Sequence, residues 1–351
     1  MNDLSILRNK KVLVTGHTGF KGGWLTTMLL HLGADPVGYS IEPPSTPSFF
    51  VETGLGDRCR SVKGDVRDLD HLQNVMKEEQ PEVVFHLAAQ PLVIRSYHAP
   101  IETFDINVMG TANVMEAVRS STSVQACVCV TSDKCYENLE QDYGYKESDR
   151  MGGSDPYSAS KGAAEIVISS YQRSFFKEGV PKVASVRAGN VIGGGDWADK
   201  RIIPDIVECL RNQKPLVLRN PNSVRPWQHV LDPLNGYLTL AARMLNGEVM
   251  TQGAWNFGPD DKVNPTVRQV AEMMMVTWGR KIPIEVVPNQ NYHESKMLRL
   301  DCSKARTQLG WVPRLNIEQA IGRTVEWYKA WSEGQDMGEM TERQIEAFFE
   351  H

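Results

Sequence analysis

The stretch KVLVTGHTGFKG, Lys11 to Gly22, decides the fold. Its first five residues form a short apolar run suited to a buried strand. The run passes directly into a loop with Gly16, Gly19 and Gly22, and the helical pattern Trp24, Leu25, Met28, Leu29 and Leu32 follows. Glycines at this spacing let the backbone turn sharply, approach a diphosphate and pack the new helix close to the strand, with the helix N-terminus facing the anion. A tight strand-to-helix turn without a ligand is the plainer alternative. The loop nominates Gly16, His17, Thr18 and Gly19, then Phe20, Lys21 and Gly22, as dinucleotide contacts. His17 places a bulky ring among the glycines. That predicts crowding of the cofactor, or attraction to it if the ring is protonated, and hence weak dinucleotide binding.

Moving outward, the strand Pro36 to Ser40 ends where a carboxylate ordinarily holds the adenosine ribose, yet Ser40 stands there. The choice between NAD and NADP therefore stays open at this point. Ser61 to Val66 reads as a strand ending on Asp65, suited to an adenine amino group; Leu69 to Met76 is helical, and Val83 to Ala89 is another buried strand. This βαβαβ order predicts a parallel, doubly wound α/β sheet of Rossmann type. Gln90 to Ser96 reads as a loop at the same sheet edge, and Ile101 to Val118 as a helix carrying Asn107. Asn107 is either a polar residue that bends the helix or a structural or proton-relay group beneath the cofactor.

The run Val124, Ala126, Val128, Val130 predicts a strand delivering Ser132, Asp133 and Lys134 at its carboxyl end, where open α/β sheets keep their ligand sites. A helix opens at SDPYSASK, and Tyr157 and Lys161, four residues apart, share one of its faces. A phenol titrates near pH 10, but an adjacent ammonium favours the phenolate. Tyr157 is thereby a candidate acceptor of a hydroxyl proton.

The 43 acidic and 38 basic side chains of the 351-residue chain leave a net charge of −5, with no general pull toward nucleic acid or an anionic membrane. No apolar run reaches the roughly 18 residues of a membrane span, and the opening MNDLSILRNKK lacks a signal-peptide pattern, so a cytoplasmic location is expected. Six cysteines without C-x-x-C spacing predict free thiols and no metal site; Cys127 and Cys129 should share one strand face.

After about Asn190 the regular alternation fades. Residues 1–189 are expected to form the nucleotide-binding domain with the catalytic residues. Residues 190–351 should form a smaller, mixed α/β, mainly substrate-binding domain whose segments interleave with the main sheet. Arg201 and Arg225 are candidates for a diphosphate because guanidinium groups pair bidentately with phosphate oxygens. A plain surface arginine is the alternative for each. Asn190, Arg95, Gln90, His293 and Arg299 join them as candidate substrate contacts. Asn264 and Pro265 should open a helix at Val267, and Asn316 with Gln319 should cap a docked terminal helix.

Thr15 to Gly22, Gly64 to Val66, His86 to Ala89, Asn107, Ser132 and Tyr157 to Lys161 stand in an order that resembles the extended short-chain dehydrogenase/reductase family of nucleotide-sugar enzymes. Arg187 to Asn190, Arg225 to Asp232, Trp255 to Gly258 and Leu309 to Pro313 extend the resemblance over nearly the whole chain. It implies bound NAD, with further contacts from Ser40, Asp65, Val66, Leu87, Ala88, Ala89, Gln90, Asn107, Thr131, Tyr157 and Lys161. It also implies dimerisation through the helices beginning near Ile101 and Tyr157.

Within that family the triplet Ser132, Asp133, Lys134 is similar to the sugar-nucleotide 4,6-dehydratases, which add an acid and a base after the hydroxyl. Lysine in place of glutamate, together with His17 and Ile94 to Tyr97, resembles the branch acting on CDP-glucose, which supplies the precursor of 3,6-dideoxyhexoses in bacterial surface polysaccharide. The resemblance implies Ser132, Tyr157 and Lys161 for oxidation at C4, Asp133 as the acid for the departing 6-hydroxyl and Lys134 as the base at C5. A 4-epimerase or a non-catalytic NAD-binding scaffold are the other readings, and formation of a 4-keto-6-deoxy sugar discriminates among the three.

Overall fold

The computed structural model describes residues 4–141, 143–176, 179, 181–260, 265–287 and 298–350. Strands β1 (Lys11–Thr15), β2 (Asp35–Ser40), β3 (Arg60–Lys63), β4 (Val83–His86), β5 (Ala126–Val130) and β6 (Lys182–Ala188) form the main sheet with a later strand. Beyond them come β7 (Val191–Ile192), β8 (Leu216–Leu218), β9 (Gln228–His229), β10 (Gly253–Phe257) and β11 (Ile284–Val286). Seven strands pair in the order β10-β6-β5-β4-β1-β2-β3, all parallel. The expected Rossmann-type sheet is thus present, with its order reversing between β1 and β4, the place where such sheets open a crevice for ligands.

Both faces of the sheet are buried, so its strands alternate between two cores rather than between core and water. Val12 and Val14 of β1 pack in one core with Phe85 and Val128, while Leu13 packs in the other with Val37, Val84 and Val183. Cys127 and Cys129 also face the second core, with their sulfur atoms 3.7 Å apart and unbridged.

Three local expectations need correction. Gln90 to Ser96 is not wholly loop, because Val93–His98 is helical. The Ser96 hydroxyl donates to Val93 O at 2.7 Å and accepts from the Tyr157 N–H at 3.1 Å, so docking on the neighbouring helix stabilises a turn too short to announce itself by periodicity. The helix expected over Ile101 to Val118 is α-helical over Pro100–Phe104 and Gly110–Ser120, with a π turn at Asp105–Met109 between them. The cap of the helix Val267–Trp278 is Thr266, which forms a reciprocal capping box with Gln269; Asn264 lies outside the described residues. Asn316 and Gln319 form the expected capping box on Ile317–Ser332.

Segments after Asn190 return to the main body: β10 closes the edge of the large sheet beside β6, while β7 pairs β9 and β8 pairs β11. The segments after Asn190 are therefore stitched to the sheet that carries β5.

Candidate active site

The glycine loop after β1 is built for close backbone approach. Gly16 has φ +79°, and a Cβ there would come within 2.7 Å of Ala88 N; a Cβ on Gly22 would come within 2.1 Å of Gly16 O. Gly19 occupies the N-cap of helix Phe20–His31 without a side-chain cap, leaving that helix's first N–H groups to an anion. These features fit a dinucleotide diphosphate.

One cavity of about 1420 Å³ runs from this loop across the carboxyl ends of the strands. Gly16, Thr18, Gly19, Phe20, Lys21 and Gly22 line its cofactor end with Ser40, Asp65 and Val66. Leu87, Ala88, Ala89, Gln90 and Thr131 continue that wall toward Ser132, Asp133, Lys134, Tyr157 and Lys161. The Ser40 hydroxyl is hydrogen-bonded to that of Thr18 at 2.7 Å, and Arg67 clasps the Asp65 carboxylate through Nε and Nη2. Arg67 carried no signal in the local pattern.

His17 is not a cavity residue, and the crowding expected of it does not occur. Its ring is fully buried against the bare Cα of Gly38, meets Phe50 edge-on at 5.3 Å and bonds Ser61 Oγ through Nε2 at 2.7 Å. Burial pushes its pKa down to about 4, so the ring is neutral and supplies no charge to attract an anion. Asn107 also stands behind the cavity wall. Its amide bridges Gln90 N (2.8 Å), Gln90 O (3.1 Å) and Ser160 Oγ (2.9 Å), pinning the π turn to the loop after β4 and to the helix that carries Tyr157.

The helix Pro156–Phe175 starts cleanly because Pro156 occupies its first turn and Asp155 caps it, accepting from Ser158 N at 2.9 Å. That start presents Tyr157 and Lys161 to the end of β5. Burial pushes the Tyr157 phenol up to about 12; hydrogen bonding with Ser132 and the charge of Arg201 act against the rise. The expectation that Lys161 brings the phenol down is therefore corrected for the chain itself. The Lys161 ammonium donates to Val130 O at 3.5 Å, and its own pKa is pulled down to about 8 by burial, with Glu165 opposing.

Asp133 is buried, and burial raises its pKa despite the charges of Lys134 and Arg225 and a hydrogen bond from Ser132 Oγ at 3.0 Å. This is the environment a proton-donating carboxyl needs. Ser132 Oγ also accepts from Lys134 N at 3.2 Å, which holds the triplet in one tight turn.

Sequence reasoning underestimated Lys21. Its ammonium donates to the Tyr237 hydroxyl at 3.3 Å, and burial, then the charges of Lys161 and Arg201, pull it down to about 7 while Asp133 opposes them. Glu165 was missed altogether, although its spacing four residues after Lys161 repeats that of Tyr157 and Lys161. It accepts from Thr131 Oγ1, from Ser185 Oγ at 2.7 Å and from Arg187 at 2.9 and 2.8 Å. Arg187 reaches on to the Tyr136 hydroxyl at 2.6 Å, which donates to Asn256 Oδ1 at 2.8 Å, so a buried chain ties the helix Pro156–Phe175 to β10.

Of the expected substrate contacts, Gln90, Arg95, Asn190, Arg201 and Arg225 line the cavity. Arg95 is ion-paired with Glu102 and Arg201 with Asp196, at 2.9 and 3.0 Å, whereas Arg225 is buried and donates to Val224 O at 3.1 Å. Arg299 does not line the cavity; its carbonyl oxygen accepts from Tyr145 N at 2.9 Å. His293 lies outside the described residues.

A model of the GDP-mannose 4,6 dehydratase family matches residues 13–324. The chain is 47% identical over 351 residues to the CDP-glucose 4,6-dehydratase of Salmonella typhimurium, covering 98% of each chain. Among solved structures it resembles the dTDP-glucose 4,6-dehydratase of Bacillus anthracis in complex with NAD, with a TM-score of 0.79, 22% identity, and coverage of 93% of this chain and 98% of that one. The UDP-glucose 4-epimerase of Thermotoga maritima with UDP-glucose gives a TM-score of 0.79 at 21% identity, covering 92% and 99% of the two chains. At those identities the two structures speak for the fold alone.

Proposed function

The chain belongs to the GDP-mannose 4,6 dehydratase family, and we propose from that premise that it converts CDP-glucose to CDP-4-dehydro-6-deoxyglucose and water. The observation that carries a dehydration, rather than an epimerisation, is the buried acid Asp133 set directly beside Ser132 in the cavity that Tyr157 also lines. A 4-epimerase needs no acid there, because it loses no hydroxyl.

The glycine loop, Ser40, Asp65 and Thr131 would hold NAD, which supplies the two-electron acceptor and donor for the sugar carbons. A sugar 4-hydroxyl against Tyr157 gives its proton to the phenolate oxygen as C4 becomes a ketone; the Ser132 hydrogen bond and the Arg201 charge favour that phenolate against the burial that opposes it. The ketone acidifies the hydrogen at C5. Lys134, next to Asp133 in the cavity wall, takes that proton. Asp133, which burial biases toward its protonated form, gives its proton to the 6-hydroxyl; the C6–O bond breaks and water leaves as the C5–C6 alkene forms, after which C6 would take back the hydride lost from C4 and C5 would regain a proton from Lys134. Arg201 and Arg225 take the diphosphate, the first by exchanging part of its pairing with Asp196.

A division into a cofactor half, 1–189, and a mainly substrate half, 190–351, accords with the placement of these groups. Exposed apolar side chains on the paired helices, Ile101, Met109, Ile166 and Phe175, support a homodimer through that face. Among the described residues no helix is long and apolar enough to cross a membrane, and the cysteines are unpaired, which supports a cytoplasmic site of action. The product, a 4-keto sugar, is activated for later loss of its 3-hydroxyl, the chemistry required for 3,6-dideoxyhexoses of O-antigen.

Incubation of the chain with NAD and CDP-glucose tests the reading. It predicts a nucleotide sugar lighter by one water and bearing a 4-keto group; CDP-galactose as the product would establish epimerisation instead.

A further inference from the structure

Beyond the catalytic residues the cavity has a lobe that the bond-making steps do not use, walled by the first turn of helix Ile202–Asn212 and by Val217 to Asn220. Arg201 is the N-cap of that helix, and Asp205 stands one turn further on, its N–H donating to Arg201 O at 3.1 Å. Side chains four apart share a helix face and are separated by about 6 Å along its axis. With the sugar at Tyr157 and the diphosphate at Arg201, that offset is on the scale of the ribose that separates diphosphate from base.

Asp205 is half-buried, yet its carboxylate makes no hydrogen bond and no ion pair with a described residue. Burial raises its pKa; Arg219 favours the charged form, and Glu208 and Asp199 oppose it. The other acids of this region are differently placed: Asp196 is engaged by Arg201 and by Ala198 N, and Asp199 is exposed to water. A partly desolvated carboxylate short of donors, facing a ligand cavity, asks a donor of the ligand.

The bases differ at one position in the sense that matters here. Cytosine carries an exocyclic amino group, a donor that aspartate accepts, where uracil and thymine carry a carbonyl oxygen that a carboxylate repels. We propose that Asp205 is the residue that selects the cytosine nucleotide, by accepting a hydrogen bond from the exocyclic amino group of the base. This rests on the function proposed above and names the part of the site that sets its nucleotide.

The test measures kcat/KM of the full chain with NAD for CDP-glucose and UDP-glucose, alongside calorimetric binding of CDP and UDP, for the wild type, Asp205→Asn and Asp205→Leu. The proposal expects the wild type to prefer the cytidine nucleotides and each variant to lose that preference by about 10- to 100-fold. Asp205→Asn should gain on UDP-glucose, because a rotated carboxamide donates to the uracil oxygen. An unchanged CDP-to-UDP ratio overturns the proposal, and so does an equal loss for both nucleotides, which would assign the carboxylate to the ribose common to them. Failure of the wild type to turn over either sugar nucleotide would count against the proposed function, while the CDP-to-UDP binding ratios of the variants would still decide the role of Asp205.

Discussion

Replacing Glu165 by glutamine is the most informative perturbation of the framework beneath the site. Glu165 and Arg187 have side chains only 5% and 4% exposed, so solvent does little to screen their pairing. Burial alone would raise the Glu165 pKa, but the charge and hydrogen bonds of Arg187 outweigh it, and the carboxyl sits below its ordinary range. Glutamine keeps the shape and one of the two oxygens that accept from Thr131 and Ser185, but leaves the Arg187 guanidinium buried without a counter-charge. Breaking a buried pair from one side costs about 3 to 5 kcal/mol. With an unfolding entropy of about 2.1 cal/mol/K per residue, a chain of 351 residues should lose about 4 to 7 °C in Tm.

The sign with pH follows from the depressed pKa. The wild-type advantage is present above the pH where an unfolded glutamate titrates, about 4.3, and disappears only as pH falls through the lower folded value. Glu165 also favours the charged form of Lys161, whose pKa lies at about 8. Its loss should move the alkaline limb of kcat/KM to lower pH. Scanning calorimetry and a pH–rate profile of Glu165→Gln read both effects; a Tm within about 1 °C of wild type together with an unmoved alkaline limb refutes the reasoning.

Asp133→Asn keeps an oxygen to accept from Ser132 Oγ but has no proton to give, so product formation should fall by about 10² to 10⁴-fold; retention of more than a tenth of the rate, measured by mass spectrometry of the nucleotide sugar, assigns the acid elsewhere. Asp232, whose pKa burial raises to about 7 although it accepts from Arg314 N and Leu315 N, binds a proton more tightly folded than unfolded. Its stabilising share is therefore full below about pH 4 and is lost as pH rises through about 7. Wild type minus Asp232→Asn in Tm should be more favourable to wild type at acid than at alkaline pH, and a pH-independent difference contradicts this.

Much of this arrangement was legible in the chain because its determinants are local. The glycine loop, the strand ending at Ser132 and the Tyr157–Lys161 helix face each declare themselves within a dozen residues. Pairings across the fold do not. Glu165 meets Arg187 and Thr131 only after β5 and β6 align, β10 reaches the sheet from the C-terminal part of the chain, and Lys21 meets Tyr237 across 216 residues of sequence. His17 was misread for the same reason: its slot is made by Gly38, Phe50 and Ser61, none of them neighbours in sequence. The π turn at Asn107 escaped because a single widened turn between two short helices has no residue signature of its own.

The central claim is that a hydrogen taken from one carbon of the sugar is returned to another within the same cavity. The direct measurement uses CDP-glucose deuterated at C4, supplied to the chain with NAD, and locates the label in the product. The account predicts deuterium at C6 of the 4-keto-6-deoxy sugar. Deuterium lost to water, or still at C4, contradicts it.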